Sequence, residues 1–228
     1  GDVALVTDGD ADRIGAMDGR GQFVDPHRIM ALGLRYLVEH KQQTGAVVKT
    51  LSTTRMLNRL AAKYGLPIYE TPVGFNHIAD YMLKGDVLIG GEESGGISIK
   101  NHLPEGDGIL MGLLLMAAYQ APLHQLVEDL LAEVGPAHYA RNDNRLLHPV
   151  SKQAMVRRLT EDAPAEIGGQ SVIDVQTIDG VKYLLADESW LLIRPSGTEP
   201  VLRVYAEGRT PEMVNALLAY GQQVAEGV

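Results

Sequence analysis

Cysteine is absent from this chain of 228 residues, and large aromatics are scarce, with two phenylalanines and one tryptophan. The missing cysteine excludes disulfides, thiolate metal sites and a thiol nucleophile, and it suits a reducing compartment, so the expected location is cytoplasmic. Long apolar runs are missing as well. The longest, Ile109 to Tyr119, falls far short of the roughly 20 residues that cross a bilayer, so no membrane partner is expected. Positive charge is in deficit, 20 Lys and Arg against 29 Asp and Glu for a net charge of -9, which argues against nucleic acid as a partner. An anionic substrate would have to be attracted by a local site. The chain also starts without methionine or a leader pattern, Gly1-Asp2 running straight into a strand-like segment, and this reads as a piece of a longer protein.

What is present is a hydrophobic content of 45%, enough for one large core or two smaller ones. Apolar runs bounded by Gly and Asp alternate with segments of helical period, the pattern of βα units on a mostly parallel sheet. Pro26 opens a helix expected to run up to Gly45, and "AVVKT" follows as a strand. The next helix has Ser52 or Thr53 as expected N-cap and Gly65 as C-cap. Further expectations are a strand "PIYET", a helix over 76–84, a buried strand "DVLIGG", a helix over 107–119 and a last amphipathic helix "PLHQLVEDLLAEVG". From Ala137 the texture changes to a smaller α+β unit. It has a strand near "AHYAR", a helix "KQAMVRRLTEDA", a hairpin turning at Asp179-Gly180, two more strands and a closing helix from Pro211.

Three clusters carry chemistry. "TDGDADRIG" places Asp8, Asp10 and Asp12 on alternate positions after a strand. On an extended loop alternate side chains point the same way, so three carboxylates can converge on one hard divalent cation. An EF-hand loop is excluded, because it needs Gly at its sixth position and Glu at its twelfth, where this chain has Arg13 and Gly19. A phosphatase with an aspartate nucleophile remains open on these residues alone. "GGEESGGISI" follows a buried strand, so Glu92, Glu93 and Ser94 are expected at the ligand-binding end of the sheet, where a carboxylate and a hydroxyl can hold a polyol. "IRPSGTEP" offers the Arg194 fork, the Ser196 and Thr198 hydroxyls and a run of backbone N–H groups, a phosphate-binding combination without nucleotide P-loop spacing.

In their order and spacing, "TDGDADRIG", "TPVGF", "GGEESGG" with "DGI" after it, and "RPSGTEP" closely resemble the metal, sugar and phosphate loops of the α-D-phosphohexomutase superfamily, the phosphoglucomutases and phosphomannomutases. The likeness runs over essentially the whole chain and displaces the phosphatase alternative. It implies an α/β fold: the end of a second domain with the metal loop over 1–25, a complete third domain with the sugar loop over 26–135, and a smaller α+β fourth domain with the phosphate loop over 136–228. It implies Mg2+ on Asp8, Asp10 and Asp12, with Arg13 reaching toward substrate or a phosphoserine. Glu92 and Ser94 would bind sugar hydroxyls, and Arg194, Ser196, Gly197 and Thr198 would clamp the phosphate that is not transferred. Lys49 falls where relatives often carry a basic residue suspected of acid/base work, the alternative being a solvated strand-end lysine.

Two departures stand out. Relatives often have lysine after "TPVGF", where this chain has Asn76 and then His77. The family's phosphorylated serine lies in a "TASHNP"-like loop of the first domain, and none of the seven serines here has that context. The resemblance therefore implies the C-terminal part of an enzyme that interconverts hexose 1-phosphate and 6-phosphate through a bisphosphate, itself inactive and without the N-terminal domains that are its natural partners. The rival from another class is a naturally short, non-catalytic sugar-phosphate-binding protein. A mutase for glucosamine phosphates ranks lower, because such relatives more often show a different sugar loop.

Overall fold

The computed structural model describes residues 1–118, 121–146, 151–196 and 199–227. The chain divides into two compact units, Gly1–Gly135 and Pro136–Val228.

The first unit opens with an antiparallel meander, β1 (Val3–Thr7), β2 (Ile14–Asp18) and β3 (Phe23–Val24). Helix α1 (Pro26–Glu39) follows. Its N-cap Asp25 accepts a hydrogen bond from Arg28 N, and Pro26 occupies the first turn, where no backbone N–H is missed. It ends six residues before Gly45, because the N–H groups of His40 and Lys41 both fold back on the Tyr36 carbonyl and Gln42 takes φ 52°. Then come β4 (Ala46–Thr50), α2 (Met56–Tyr64), β5 (Ile68–Thr71), α3 (Phe75–Lys84), β6 (Val87–Gly91), β7 (Ile97–Ile99), α4 (Gly108–Ala118) and α5 (Leu123–Val134). The sheet order is β5-β4-β6-β7, with β4 parallel to both neighbours and β7 antiparallel at the edge.

Three of the four strands are parallel, as the alternating pattern indicates, and the first strand lies in a separate antiparallel sheet with β2 and β3, two strands that the sequence reading did not include. The expected helix cap is corrected. Neither Ser52 nor Thr53 caps α2, which starts at Met56 with Thr54 Oγ1 accepting from its N–H at 3.1 Å. Gly65 does close α2, in the left-handed conformation with φ 66°. Ile29, Leu32, Leu34, Val47, Val48, Leu57, Leu60, Leu88 and Ile89 are fully buried, so the core lies between the sheet and its helices.

The second unit is one antiparallel sheet. Its elements are β8 (His138–Arg145), α6 (Lys152–Glu161), β9 (Glu166–Ile167), β10 (Gln170–Gln176), β11 (Val181–Leu185), β12 (Trp190–Pro195), β13 (Val201–Gly208) and α7 (Pro211–Glu226), in strand order β8-β13-β12-β11-β10-β9. Alternation along the strands places Val181, Tyr183 and Leu185, then Leu191 and Ile193, then Leu202, Val204 and Ala206 in one core with Met155, Leu159, Val214 and Leu217 of the two helices. The turn between β10 and β11 falls at Asp179-Gly180 as the sequence indicates, with Gly180 at φ 91°. An added Cβ there would stand 2.5 Å from the Ile193 carbonyl oxygen.

Candidate functional site

The three aspartates do converge, though not along an extended loop. The β1–β2 connection is a turn, with Ala11 N donating to the Asp8 carbonyl at 3.3 Å and Ala11 itself at φ 61°. It brings one carboxylate oxygen each from Asp8, Asp10 and Asp12 to within 4.8 Å of one another. Arg13 holds the cluster together. Its N–H donates to Asp8 Oδ1 at 3.3 Å, and its Nε lies 2.6 Å from Asp8 Oδ2 and 3.4 Å from Asp12 Oδ1. Partial burial works to raise the Asp8 carboxyl, but the Arg13 N–H and guanidinium outweigh it and leave the group below the ordinary carboxylate range. Three clustered, half-exposed carboxylates make an all-oxygen donor set that fits a hard cation such as Mg2+, with the remaining positions open to water or substrate.

The turn is braced from two sides by glycine-rich backbone. Ile14 N donates to the Gly95 carbonyl at 3.2 Å, and Arg13 bridges Gly96. Gly108 N donates to the Ala11 carbonyl at 2.9 Å. A Cβ at Gly106 would lie 2.6 Å from Asp12 O, and one at Gly108 within contact distance of Arg13 O. "EGDGI" is thus shaped to let the start of α4 touch the acidic turn, a role that the sequence pattern did not disclose.

Glu92 and Ser94 stand in the loop after β6, closed by Glu92 N donating to Gly96 O at 3.0 Å and Gly95 N to Glu92 O at 3.1 Å. The Ser94 hydroxyl donates to Glu92 Oε1 at 2.6 Å, while Glu92 Oε2 is buried without a hydrogen-bond partner. Burial raises the Glu92 carboxyl above its usual range, the Ser94 hydrogen bond opposing it and the neighbouring Glu93 charge adding to it. A cavity of about 500 Å³ collects Asp12 of the acidic turn, Phe75 and Asn76 of the "TPVGFN" segment, Glu92, and Glu105 of the "EGDGI" segment. The acidic turn and the loop after β6 therefore share one cavity. His77 lines a different groove, beside Tyr69 and Tyr81.

Two polar groups, Lys49 buried and Glu93 partly buried, support this end of the sheet. Glu93, adjacent to the expected ligand Glu92, accepts from Ser52 Oγ at 2.5 Å and from Thr50 Oγ1 at 3.1 Å, and so ties the sugar loop to the β4–α2 loop. Ser52 serves this tie instead of a helix cap. Lys49 is not a solvated strand-end lysine: its side chain is fully buried, and Nζ donates to the carbonyls of Thr53 and Thr54 at 2.9 and 3.1 Å and lies 3.1 Å from Glu70 Oε1. In the sequence the run of hydroxyl residues 52–54 reads as helix-capping material, and the buried network is not visible in it.

In the second unit, Arg194 extends from β12 and donates through Nε to Asp179 Oδ2 at 2.7 Å. The other oxygen, Asp179 Oδ1, accepts from Lys152 Nζ at 2.6 Å. Ser196 N donates to Val201 O at 2.8 Å, and Ser196 Oγ accepts from Glu199 N at 3.3 Å, which folds the loop after Arg194 back on itself. Gly197 and Thr198, the other two expected phosphate ligands, lie outside the described residues.

An α/β unit carrying an acidic turn is thus followed by an antiparallel α+β unit carrying an arginine loop. Residues 25–134 match the family model of the phosphoglucomutase/phosphomannomutase α/β/α domain III, and residues 144–220 match that of its C-terminal domain. The chain belongs to the phosphoglucomutase/phosphomannomutase family and contains its domains III and IV. It is 32% identical to a phosphoglucosamine mutase of Alkaliphilus oremlandii over 95% of this chain and 45% of that protein. Among solved structures, a putative phosphomannomutase from Thermus thermophilus superposes with a TM-score of 0.80 at 36% identity, over 99% of this chain and 46% of that one. An Aspergillus fumigatus N-acetylphosphoglucosamine mutase, solved with GlcNAc-6P and magnesium, shares the fold with a TM-score of 0.63 at 18% identity, over 98% of this chain and 48% of that one. The chain spans about half the length of the relatives it matches. The glucosamine branch, ranked low on the sugar loop alone, is thus represented among the similar proteins.

Proposed function

We propose that this chain is the substrate-holding part of a phosphohexomutase that interconverts hexose 1-phosphate and hexose 6-phosphate. The observation that carries the reading is the shared cavity of the first unit, where Asp12 of the acidic turn and Glu92 of the sugar loop face the same space. In this reading Asp8, Asp10 and Asp12 hold Mg2+, which when bound would neutralise charge on the phosphoryl group being moved; the likeness to a mutase solved with magnesium supports that assignment. Arg13, already paired with Asp8, stands beside that position to orient an anionic group. Glu92 and Ser94 take sugar hydroxyls, and the raised carboxyl of Glu92 suits hydrogen bonding to neutral donors. Arg194, Ser196, Gly197 and Thr198 receive the phosphate that stays. Lys49, enclosed among carbonyls and Glu70, acts in this reading by fixing the β4–α2 loop that Glu93 grips. Catalysis in such a site is chiefly positioning and electrostatic.

The domain assignment that accompanies this proposal is 1–25 as the end of a second domain, 26–135 as the third and 136–228 as the fourth. No serine among the seven lies in a loop like that of the family's phosphoserine, so the chain alone is expected to bind hexose phosphate without turning it over. The test is a coupled assay for glucose 6-phosphate formation from glucose 1-phosphate with Mg2+ and a trace of the bisphosphate, run beside an NMR titration with glucose 6-phosphate. Shift changes at Glu92, Ser94 and Arg194 without turnover are the expected result. Turnover that tracks the purified chain refutes its inactivity, and a flat titration refutes the substrate-holding role.

A further inference from the structure

The hairpin turn between β10 and β11 does more than reverse the chain. Its Asp179 carboxylate, 8% exposed, is shared between two cations from separate elements: Lys152 at the start of α6 on Oδ1, and Arg194 at the end of β12 on Oδ2. Both cations keep more exposure than the anion between them, 47% for Lys152 and 18% for Arg194. Among the described residues the ion-paired cluster has two positive charges and one negative, a net cation next to Ser196. The turn is also built to sit there: Gly180 packs its backbone against Ile193 O and Arg194 Cα, where any Cβ would collide. One carboxylate binding two cations through different oxygens fixes both directions at once. Because the Arg194 contact uses Nε, the end-on Nη1/Nη2 pair is the fork that a phosphate would take.

We infer that Lys152 is a second phosphate-binding cation beside Arg194, and that Asp179 is the positioning residue that aims both at one anion. This rests on the reading of the Arg194 loop as a phosphate site and adds residues to it. The inference makes an unusual prediction of sign. Removing a negative charge close to a bound anion strengthens binding if Asp179 acts only through its field; removing it weakens binding if Asp179 sets the direction of two donors.

The experiment is a titration of the whole chain with glucose 6-phosphate and, separately, inorganic phosphate, followed at the Arg194 and Ser196 amides, for wild type and the variants Arg194→Gln, Lys152→Gln and Asp179→Asn. Lys152→Gln alters a half-exposed side chain and is expected to stay folded, with affinity lowered about tenfold and a shallower salt dependence. Asp179→Asn is expected to weaken binding as well, despite the lost negative charge. Unchanged affinity in Lys152→Gln, or equal or tighter binding in a folded Asp179→Asn, overturns the inference. If Arg194→Gln itself leaves affinity unchanged, the phosphate-loop reading fails first and takes the inference with it.

Discussion

Asp179 illustrates how one residue can be read correctly at one level and missed at another. In the sequence it marks a turn, because Asp-Gly between two apolar alternating runs is a hairpin signal. The structure adds that its carboxylate is buried between two cations. Burial by itself would raise the group, but Lys152 and Arg194 outweigh burial and hold it below the ordinary carboxylate value. A depressed folded-state value contributes stability above the unfolded value of about 3.9, and that contribution is lost as pH falls through the folded one. The melting temperature of the second unit is therefore expected to drop below about pH 4 more steeply in wild type than in Asp179→Asn. At pH 7 that variant should be less stable by about 2 kcal/mol, under the ~3–5 kcal/mol of a fully buried pair because Lys152 stays half in water. Calorimetry from pH 3 to 7 checks both statements, and parallel pH profiles would remove Asp179 from the acid response.

At the scale of elements, the acidic turn is held from within by Arg13 and from outside by its neighbours. Backbone from the loop after β6 and from the start of α4 closes on it through Gly95, Gly106 and Gly108. Gly108→Ala should push Arg13 and the turn away, with a loss of roughly 1–3 kcal/mol as expected for overpacking, and a weaker response to Mg2+ measured by calorimetric titration. The same change at Gly9, where an added Cβ meets nothing within 4 Å, serves as control. Equal Mg2+ affinity in the two variants would show that the brace does not set the ligand geometry. Helix α4 also carries Ile109, Leu113 and Met116 exposed at helical spacing, with Val6 exposed on β1.

At the scale of the whole molecule, each unit has a separate core, the first around the helices on β4 and β6, the second around α6, α7 and their sheet. Leu34→Ala and Leu191→Ala each empty a fully buried site and should cost about 2–5 kcal/mol. If the units unfold as separate cooperative blocks, each substitution lowers one calorimetric transition and leaves the other in place. A single transition lowered equally by both would show that the two cores melt together.

The order of the helices and longer strands, the Asp179-Gly180 hairpin, the Gly65 cap and the three polar loops were legible in the sequence, whereas β2, β3, β7 and β9 were not. The legible features depend on local chemistry: turn residues, apolar period and short polar motifs whose spacing is itself the signal. The family followed from those motifs in combination. What the sequence left open depended on distant chain segments meeting. The acidic turn converges because a positive-φ alanine and glycine backbone from two other loops allow it. Lys49, read as a candidate for acid/base work or a solvated end, is enclosed by carbonyls of its own loop and by Glu70 from the next strand. Glu93 was legible as a member of the loop after β6 but not as its tie to Ser52, and Lys152 gave no signal, because these partners lie 41 and 27 residues away in the chain. Local pattern determined which loops concentrate carboxylates, hydroxyls and arginine; only tertiary packing decided which charges within them are solvated or paired, because burial and pairing are set by neighbours that sequence distance conceals.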